Sequence, residues 1–120
     1  MLKVLAVDDS RTMRDLICAA LGDAGIDVTT AEDGLDGLEK LKAAVPDVII
    51  SDINMPNLDG FGFIQAVRNG SGASAVPILV LSTESSMEFK MRAKSLGATG
   101  WIVKPFDPEK LTAAVRKVAG

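Results

Sequence analysis

The 120-residue chain contains no histidine and no tyrosine, and its one cysteine is Cys18. Without histidine, the Ser-His-Asp triad, Cys-His nucleophilic pairs and histidine-ligated metal sites are excluded. A lone cysteine allows no intramolecular disulfide and no cysteine-rich zinc site, so Cys18 reads as a core residue of a helix. Aromatic residues make up 4% of the chain, which leaves Leu, Ile, Val, Ala and Met to build the core. No apolar run has the length of a signal peptide or a membrane span, since the first one ends at Asp8-Asp9. A reducing, cytoplasmic setting is expected. Nor is there a surplus of positive charge: 13 Lys and Arg against 16 Asp and Glu give a net −3, which argues against nucleic acid or an anionic membrane as partner. Any chemistry must then run on carboxylates, hydroxyls and lysine, with or without a hard cation.

What is present is an ordinary globular composition, 48% apolar and 24% charged, in one domain's length of chain. There is no long-period repeat and no low-complexity tract. Short apolar runs alternate with longer stretches at helical spacing. Val4 to Val7 reads as a strand buried on both faces. Met13, Leu16, Ile17, Ala20, Leu21 and Ala24 then mark the inner face of a first helix, stopped at Gly25. Ile26 to Ala31 is a more polar strand, suited to a sheet edge. Leu35, Leu38 and Leu41 mark a second helix ending before Pro46. Val48 to Ile50 is the next buried strand, and Phe61, Ile64 and Val67 carry a third helix after a loop. Asn69 to Ala75 reads as a loop. A strand over Ile78 to Leu81, a helix with Phe89, Ala93 and Leu96 inward, a strand over Trp101 to Val103 and a last helix with Leu111, Ala114, Val115 and Val118 complete the chain. Such alternation predicts a doubly wound α/β fold, a five-stranded parallel sheet with helices on both faces. Its ligand site should lie beyond the carboxyl ends of the strands, where the strand order reverses.

The residues that follow the buried strands are Asp8-Asp9, Asp52, Ser82-Thr83 and Lys104-Pro105. Singly, each has an ordinary explanation. Ser10 suits a helix cap, Asp52 a turn, Lys104 a solvated position and Ser82 a local backbone bond. Jointly, they bring three carboxylates, a hydroxyl and an ammonium to one rim. Close carboxylates repel unless a cation compensates. A hard ion such as Mg²⁺ suits few carboxylates plus waters. With Lys104 as a positive charge on the far side, a phosphoryl group would bridge metal, ammonium and hydroxyl, and one carboxylate would be its acceptor.

These motifs resemble the receiver domains of two-component response regulators. They are V-D-D-S at 7–10, D-I-N-M-P at 52–56, D-G at 59–60, L-S-T-E at 81–84 and K-P-F at 104–106. The resemblance spans essentially the whole chain. It implies a flavodoxin-like strand order, 2-1-3-4-5, with Asp52 as phosphoacceptor. It further implies Mg²⁺ on Asp9, Asp52 and the backbone carbonyl of Asn54, with Asp8 acting through a water. Lys104 and Ser82 would hold the phosphoryl group, and Trp101 would stand at a switch position usually filled by Tyr or Phe. Lys104-Pro105 is cis in this family, whereas the intrinsic preference of the bond alone favours trans. Asn54 and Glu84 stand where the family tunes dephosphorylation.

Residues 1–120 are expected to form a receiver domain with no output domain, since the chain ends after its fifth helix. Such a protein would be a monomer that signals by contact and not an enzyme, apart from its own phosphotransfer and dephosphorylation. The run at 97–111 is most similar to single-domain chemotaxis regulators. The resemblance implies a chemotaxis histidine kinase as donor and the flagellar motor switch as target; the alternatives are a phosphate sink or another phosphorelay. Met87, Lys90, Met91 and Lys94 fall on the outer side of the fourth helix. With Trp101 they form either a docking face or a solvated basic surface. Rival readings are an electron carrier of the same fold and an aspartyl-phosphate hydrolase. Asp8-Asp9 would repel a flavin phosphate, and Asn54 stands where the hydrolase needs a second Asp. A P-loop switch is excluded because no G-x-x-x-x-G-K-[ST] occurs.

Overall fold

A computed structural model of the chain describes residues 1–70 and 72–120; Ser71, within the expected loop from Asn69 to Ala75, lies outside the described residues. Strands and helices alternate as β1 (Lys3–Val7), α1 (Arg11–Asp23), β2 (Asp27–Ala31), α2 (Gly34–Ala43), β3 (Val48–Ser51), α3 (Gly60–Arg68), β4 (Ile78–Ser82), α4 (Met87–Leu96), β5 (Gly100–Val103) and α5 (Pro108–Ala119). The strands form one sheet in the order β2-β1-β3-β4-β5, and every pair is parallel. This is the doubly wound, flavodoxin-like arrangement expected. The polar strand β2, with Asp27 and Thr29 exposed, lies at an edge as its composition requires.

Alternation along the strands explains the continuous apolar runs. Val4, Ala6, Ile50, Leu79 and Leu81 face Ile17 and Leu21 of α1 and Leu111 and Val115 of α5. Leu5, Val7, Ile49, Ile78 and Val80 face the other way, onto Leu41 of α2, Phe61, Phe63, Ile64 and Val67 of α3 and Ala93 of α4. A strand covered on both sides has no polar face to show. Side-chain caps begin the helices: Ser10, Asp33, Asp59, Ser86 and Asp107 each accept from a backbone N–H of the first turn. Each such cap contributes about 1 kcal/mol. Ser10 is therefore a cap, as expected.

Three inward assignments are corrected. Leu16 and Leu35 are 51% and 52% exposed, because the inward stripes are Ile17–Leu21 and Gly37–Leu41, which leaves these two on the helix flanks. Cys18 is only half-buried, at the margin of the α1 stripe. Phe63, not singled out by the spacing, is fully buried. It fits because α3 is also covered by α2, where a side chain at Gly37 would come within 2.8 Å of its ring. Among the described residues no helix is long and apolar enough to cross a membrane.

Candidate functional site

Register brings the strand ends level. Val7 stands opposite Ser51, and Ser82 opposite Val103, so the next residues leave the sheet at one rim. The ladder runs a step further: Asp52 N–H donates to the Val7 carbonyl at 3.0 Å, and Lys104 N–H to the Ser82 carbonyl at 2.8 Å. The chain passes from β1 outward to β2 and returns to β3 on the other side of β1. Asp8 and Asp52 thus flank the point where strand order reverses, the expected site of a doubly wound sheet.

Asp8 is 1% exposed and Asp52 8%, whereas Asp9 is open to solvent. One carboxylate oxygen from each of these three lies within 4.8 Å of the others. Lys104, expected as a positive charge beside the carboxylates, is bonded to two of the three. Its Nζ donates to Asp8 Oδ2 at 2.8 Å and to Asp52 Oδ2 at 2.9 Å. The short loop after β5 delivers the side chain there, and two buried carboxylates draw in the nearest cation. The Lys104-Pro105 bond is cis, as the family resemblance implies and against the intrinsic preference; the energy gap for X-Pro is small enough for context to decide.

Burial pushes the Asp8 carboxyl above its ordinary range, although Lys104 and the Ser10 N–H pull it down. Burial alone would lower the Lys104 ammonium. Its hydrogen bonds and charge contacts to Asp52 and Asp8 together outweigh this and raise it above the ordinary lysine value. The remaining Asp52 oxygen, Oδ1, accepts from the Ile53 N–H at 2.6 Å, while Ser51 Oγ donates to the Asp52 carbonyl at 2.8 Å. Both bonds hold the loop after β3 against rotation. Gly60, at the first turn of α3, sits so close that a Cβ there would fall on the Asp52 carbonyl.

Ser82 is fully buried at the end of β4, and its Oγ accepts from the Glu84 N–H at 3.3 Å. Trp101 is half-buried on β5, and its Nε1–H donates to the Glu84 carbonyl at 2.9 Å. One peptide segment thus joins the hydroxyl at the rim to the indole. Asn54 projects into solvent from the loop after Asp52. Met87 and Met91 are 68% and 63% exposed on α4, Lys94 is exposed and Lys90 half-buried. Lys90, Lys94 and Trp101 line a cleft of about 180 Å³ between α4 and β5. The expected residues thus divide into a rim cluster and an outer face, joined through Glu84 and Trp101.

Two contacts were not foreseen. Arg14 reaches back from α1 to donate from Nη1 to the Asp8 carbonyl at 2.8 Å. Asn57, in a left-handed conformation at φ 67°, donates from Nδ2 to Asp33 Oδ2 at 2.7 Å, tying the loop after Asp52 to the cap of α2. An Asn between Pro56 and Asp59 is a signal for such a turn, but nothing local names its partner.

The carboxylates fit a hard cation: all are oxygen donors, few in number, and open to water on the Asp9 side. A sheet of order 2-1-3-4-5 with this acidic cluster and lysine at its switch point defines a flavodoxin-like α/β protein of the receiver type. Residues 4–116 match the family model of the response regulator receiver domain. The chain is 52% identical to the solved chemotaxis protein CheY4 of Vibrio cholerae, over 98% of each chain, with a TM-score of 0.93. It is 36% identical over 115 residues to protein PilG of Pseudomonas aeruginosa, covering 96% of this chain and 85% of PilG. It is 38% identical over 120 residues to a probable chemotaxis protein CheY of Rhizobium etli, covering 99% of this chain and 93% of that one. The chain belongs to the response regulator receiver family and is CheY-like. Proteins of this class work in two-component signalling, with a histidine kinase as partner.

Proposed function

We propose that Asp52 takes a phosphoryl group from the phosphohistidine of a chemotaxis-type kinase in a Mg²⁺-dependent reaction. The phosphorylated protein then signals in the cytoplasm through its α4–β5 face, with the flagellar motor switch as target. The observation that carries this reading is the position of Asp52 at the end of the central strand, its carboxylate grouped with those of Asp8 and Asp9 and bonded to Lys104 Nζ, with Ser82 at the end of the neighbouring strand. Asp8 is more deeply buried and Asp9 lies outside, and Asp52 alone of the three stands at the end of the strand between that of Asp8 and that of Ser82.

An Asp52 carboxylate oxygen attacks phosphorus, the P–N bond breaks, and the imidazole nitrogen leaves with the bonding pair. The products are an acyl phosphate and a free histidine. Asp9, Asp52 and the backbone carbonyl of Asn54 would hold Mg²⁺, with Asp8 acting through a water. The ion supplies neutralisation of charge on the phosphoryl oxygens. Lys104 exchanges a carboxylate for a phosphoryl oxygen. Ser82, donating its O–H to another, gives up the Glu84 N–H. The Glu84 segment then shifts and carries the Trp101 indole with it, a change driven by bonds that exist only with the phosphoryl present. Met87, Lys90, Met91 and Lys94 form the surface read by the target, the flexible methionines supplying adaptable apolar contact.

Mass spectrometry after incubation with acetyl phosphate and Mg²⁺ tests the acceptor. One phosphoryl mass is expected on the wild type and none on Asp52→Asn; an equal gain on both would reject the assignment. Relatives named for chemotaxis support the choice of kinase and target. Binding of a motor-switch segment that depends on phosphorylation and is lost in Met91→Asp would test it.

A further inference from the structure

A second surface, on the α2 and α3 helices, carries charge opposite to that of the α4 face. Between α2 and α3 runs a groove of about 850 Å³. Its floor is apolar, made by Leu35, Leu38 and Ala66, and Leu35 stays 52% exposed there. Its rim is acidic, and against four lining carboxylates (Glu32, Asp33, Asp36 and Glu39) stands one lining ammonium, Lys42. We propose that this groove is a docking site for a basic amphipathic segment of a partner protein, one that sets an apolar side chain on Leu35 and Leu38 and cations on Glu32, Asp36 and Glu39.

Charge and spacing select this occupant. The carboxylates of Glu32, just before α2, and of Asp36 and Glu39 on it are not among the clustered acidic groups of the described residues, which suits successive Lys or Arg side chains and not one ion. Phosphate-bearing ligands, whether nucleic acid or anionic lipid, meet like charge. The pairs already present give way easily: Asp36 with Lys40 at 3.6 Å and Glu39 with Lys42 at 3.0 Å are surface pairs along one helix. Such pairs contribute little, so an incoming cation replaces them at small cost. Apolar floor with charged rim is the layout of a groove that takes an amphipathic helix.

The groove is also bonded to the phosphoacceptor loop. Its Asp33 wall accepts from Asn57 Nδ2, and the Gly34 N–H donates to the Leu58 carbonyl at 3.2 Å. A Cβ on Gly34 would come within 2.6 Å of that carbonyl oxygen, so α2 and the loop move together or not at all. Occupancy of the groove and the state of the loop are then linked, each altering the affinity of the other site by the same factor. This linkage, unlike the docking itself, rests on Asp52 being the acceptor.

The probe is a fluorescein-labelled 14-residue amphipathic peptide of Leu and Lys, with a Leu and Glu peptide of the same pattern as control. Anisotropy at low salt and amide chemical-shift mapping read binding and place. Expected are one-to-one binding of the Lys peptide alone, shifts centred on Leu35, Leu38 and Ala66, and at least a tenfold loss in Leu35→Asp and in Glu39→Lys. The equally exposed leucine on the opposite face supplies the control, and Leu16→Asp should bind as the wild type does. Shifts centred elsewhere, equal binding of both peptides, unchanged affinity in Leu35→Asp, or concentration-dependent self-association through this groove would each overturn the proposal. With beryllofluoride and Mg²⁺ the wild-type affinity should change at least threefold, and not in Asn57→Ala. An affinity indifferent to beryllofluoride overturns the linkage alone. A failure of the acceptor assignment itself is read separately, by mass.

Discussion

Replacing Lys104 by Met keeps most of the stem and removes the ammonium that joins Asp8 and Asp52. The wild-type side chains are 10%, 2% and 10% exposed at Lys104, Asp8 and Asp52, so the variant leaves two nearly buried carboxylates facing each other. Removing one partner of a buried ion pair costs about 3–5 kcal/mol, because the other charge loses its compensation. Access of water past the exposed Asp9 puts the expected loss near the lower end, about 3 kcal/mol in Mg²⁺-free buffer. For a domain of this size that is a fall in Tm of roughly 10 °C. Mg²⁺ supplies the missing positive charge, and a concentration of about 100 Kd restores roughly 2.7 kcal/mol. In the wild type the ammonium competes with the ion, so its response to Mg²⁺ should be smaller. Urea unfolding followed by far-UV circular dichroism, in EDTA and then across a Mg²⁺ series, reads both effects. There is a pH signature as well. Because Lys104 is raised in the folded state above the ordinary 10.5, its stabilisation is complete below that value and is lost as pH rises through the raised one. The wild type should therefore show an alkaline limb that Lys104→Met lacks. Equal stability of the two proteins in EDTA, or an equal response to Mg²⁺, would refute the reasoning.

Trp101 is the chain's one tryptophan, so its emission reports the indole without ambiguity. Emission should shift on adding beryllofluoride with Mg²⁺, fail to shift in Asp52→Asn and shift less in Ser82→Ala; constant emission and acrylamide quenching would exclude Trp101 as the switch. Trp101→Phe loses the bond to the Glu84 carbonyl and should cost about 1 kcal/mol in urea unfolding. Asp33 is held below the ordinary carboxyl value of 3.8 by the Asp36 N–H and the Asn57 amide, so it contributes stability above that value and loses it as pH falls through the lower one. Asp33→Asn keeps a capping side chain and should flatten the acid limb of a pH–stability curve. Gly60→Ala places a methyl group against the Asp52 carbonyl and the Ile53 backbone, and should destabilise by about 2 kcal/mol while slowing phosphorylation by acetyl phosphate.

Much of the fold was legible because its signals are local. Val4 to Val7, Val48 to Ile50 and Ile78 to Leu81 are apolar without alternation, and only a strand covered on both sides has reason to be. Ser10 before α1 and Gly25 after it are end signals carried by single residues. The rim cluster was legible for a further reason: in a parallel sheet every strand points the same way, so the residue after each strand arrives at one edge whatever its sequence distance. Asp8, Asp52, Ser82 and Lys104 needed no contact prediction to be placed together. Distance and direction were another matter. That Lys104 enters the carboxylate cluster depends on the path of the loop after β5 and on burial, which raises the cost of leaving Asp8 and Asp52 without a cation. The bonds from Asn57 to Asp33 and from Trp101 to Glu84 join residues whose separation is set by how α2 and α4 lie on the sheet. The exposure of Leu16 and Leu35 likewise follows from helix rotation, which periodicity constrains only to within a residue. Local propensity and strand direction made the alternation of elements and the gathering of the strand-end residues at one rim readable from the amino acids. The strand order came with the family resemblance, and tertiary packing decided which charged groups touch and which apolar ones remain outside.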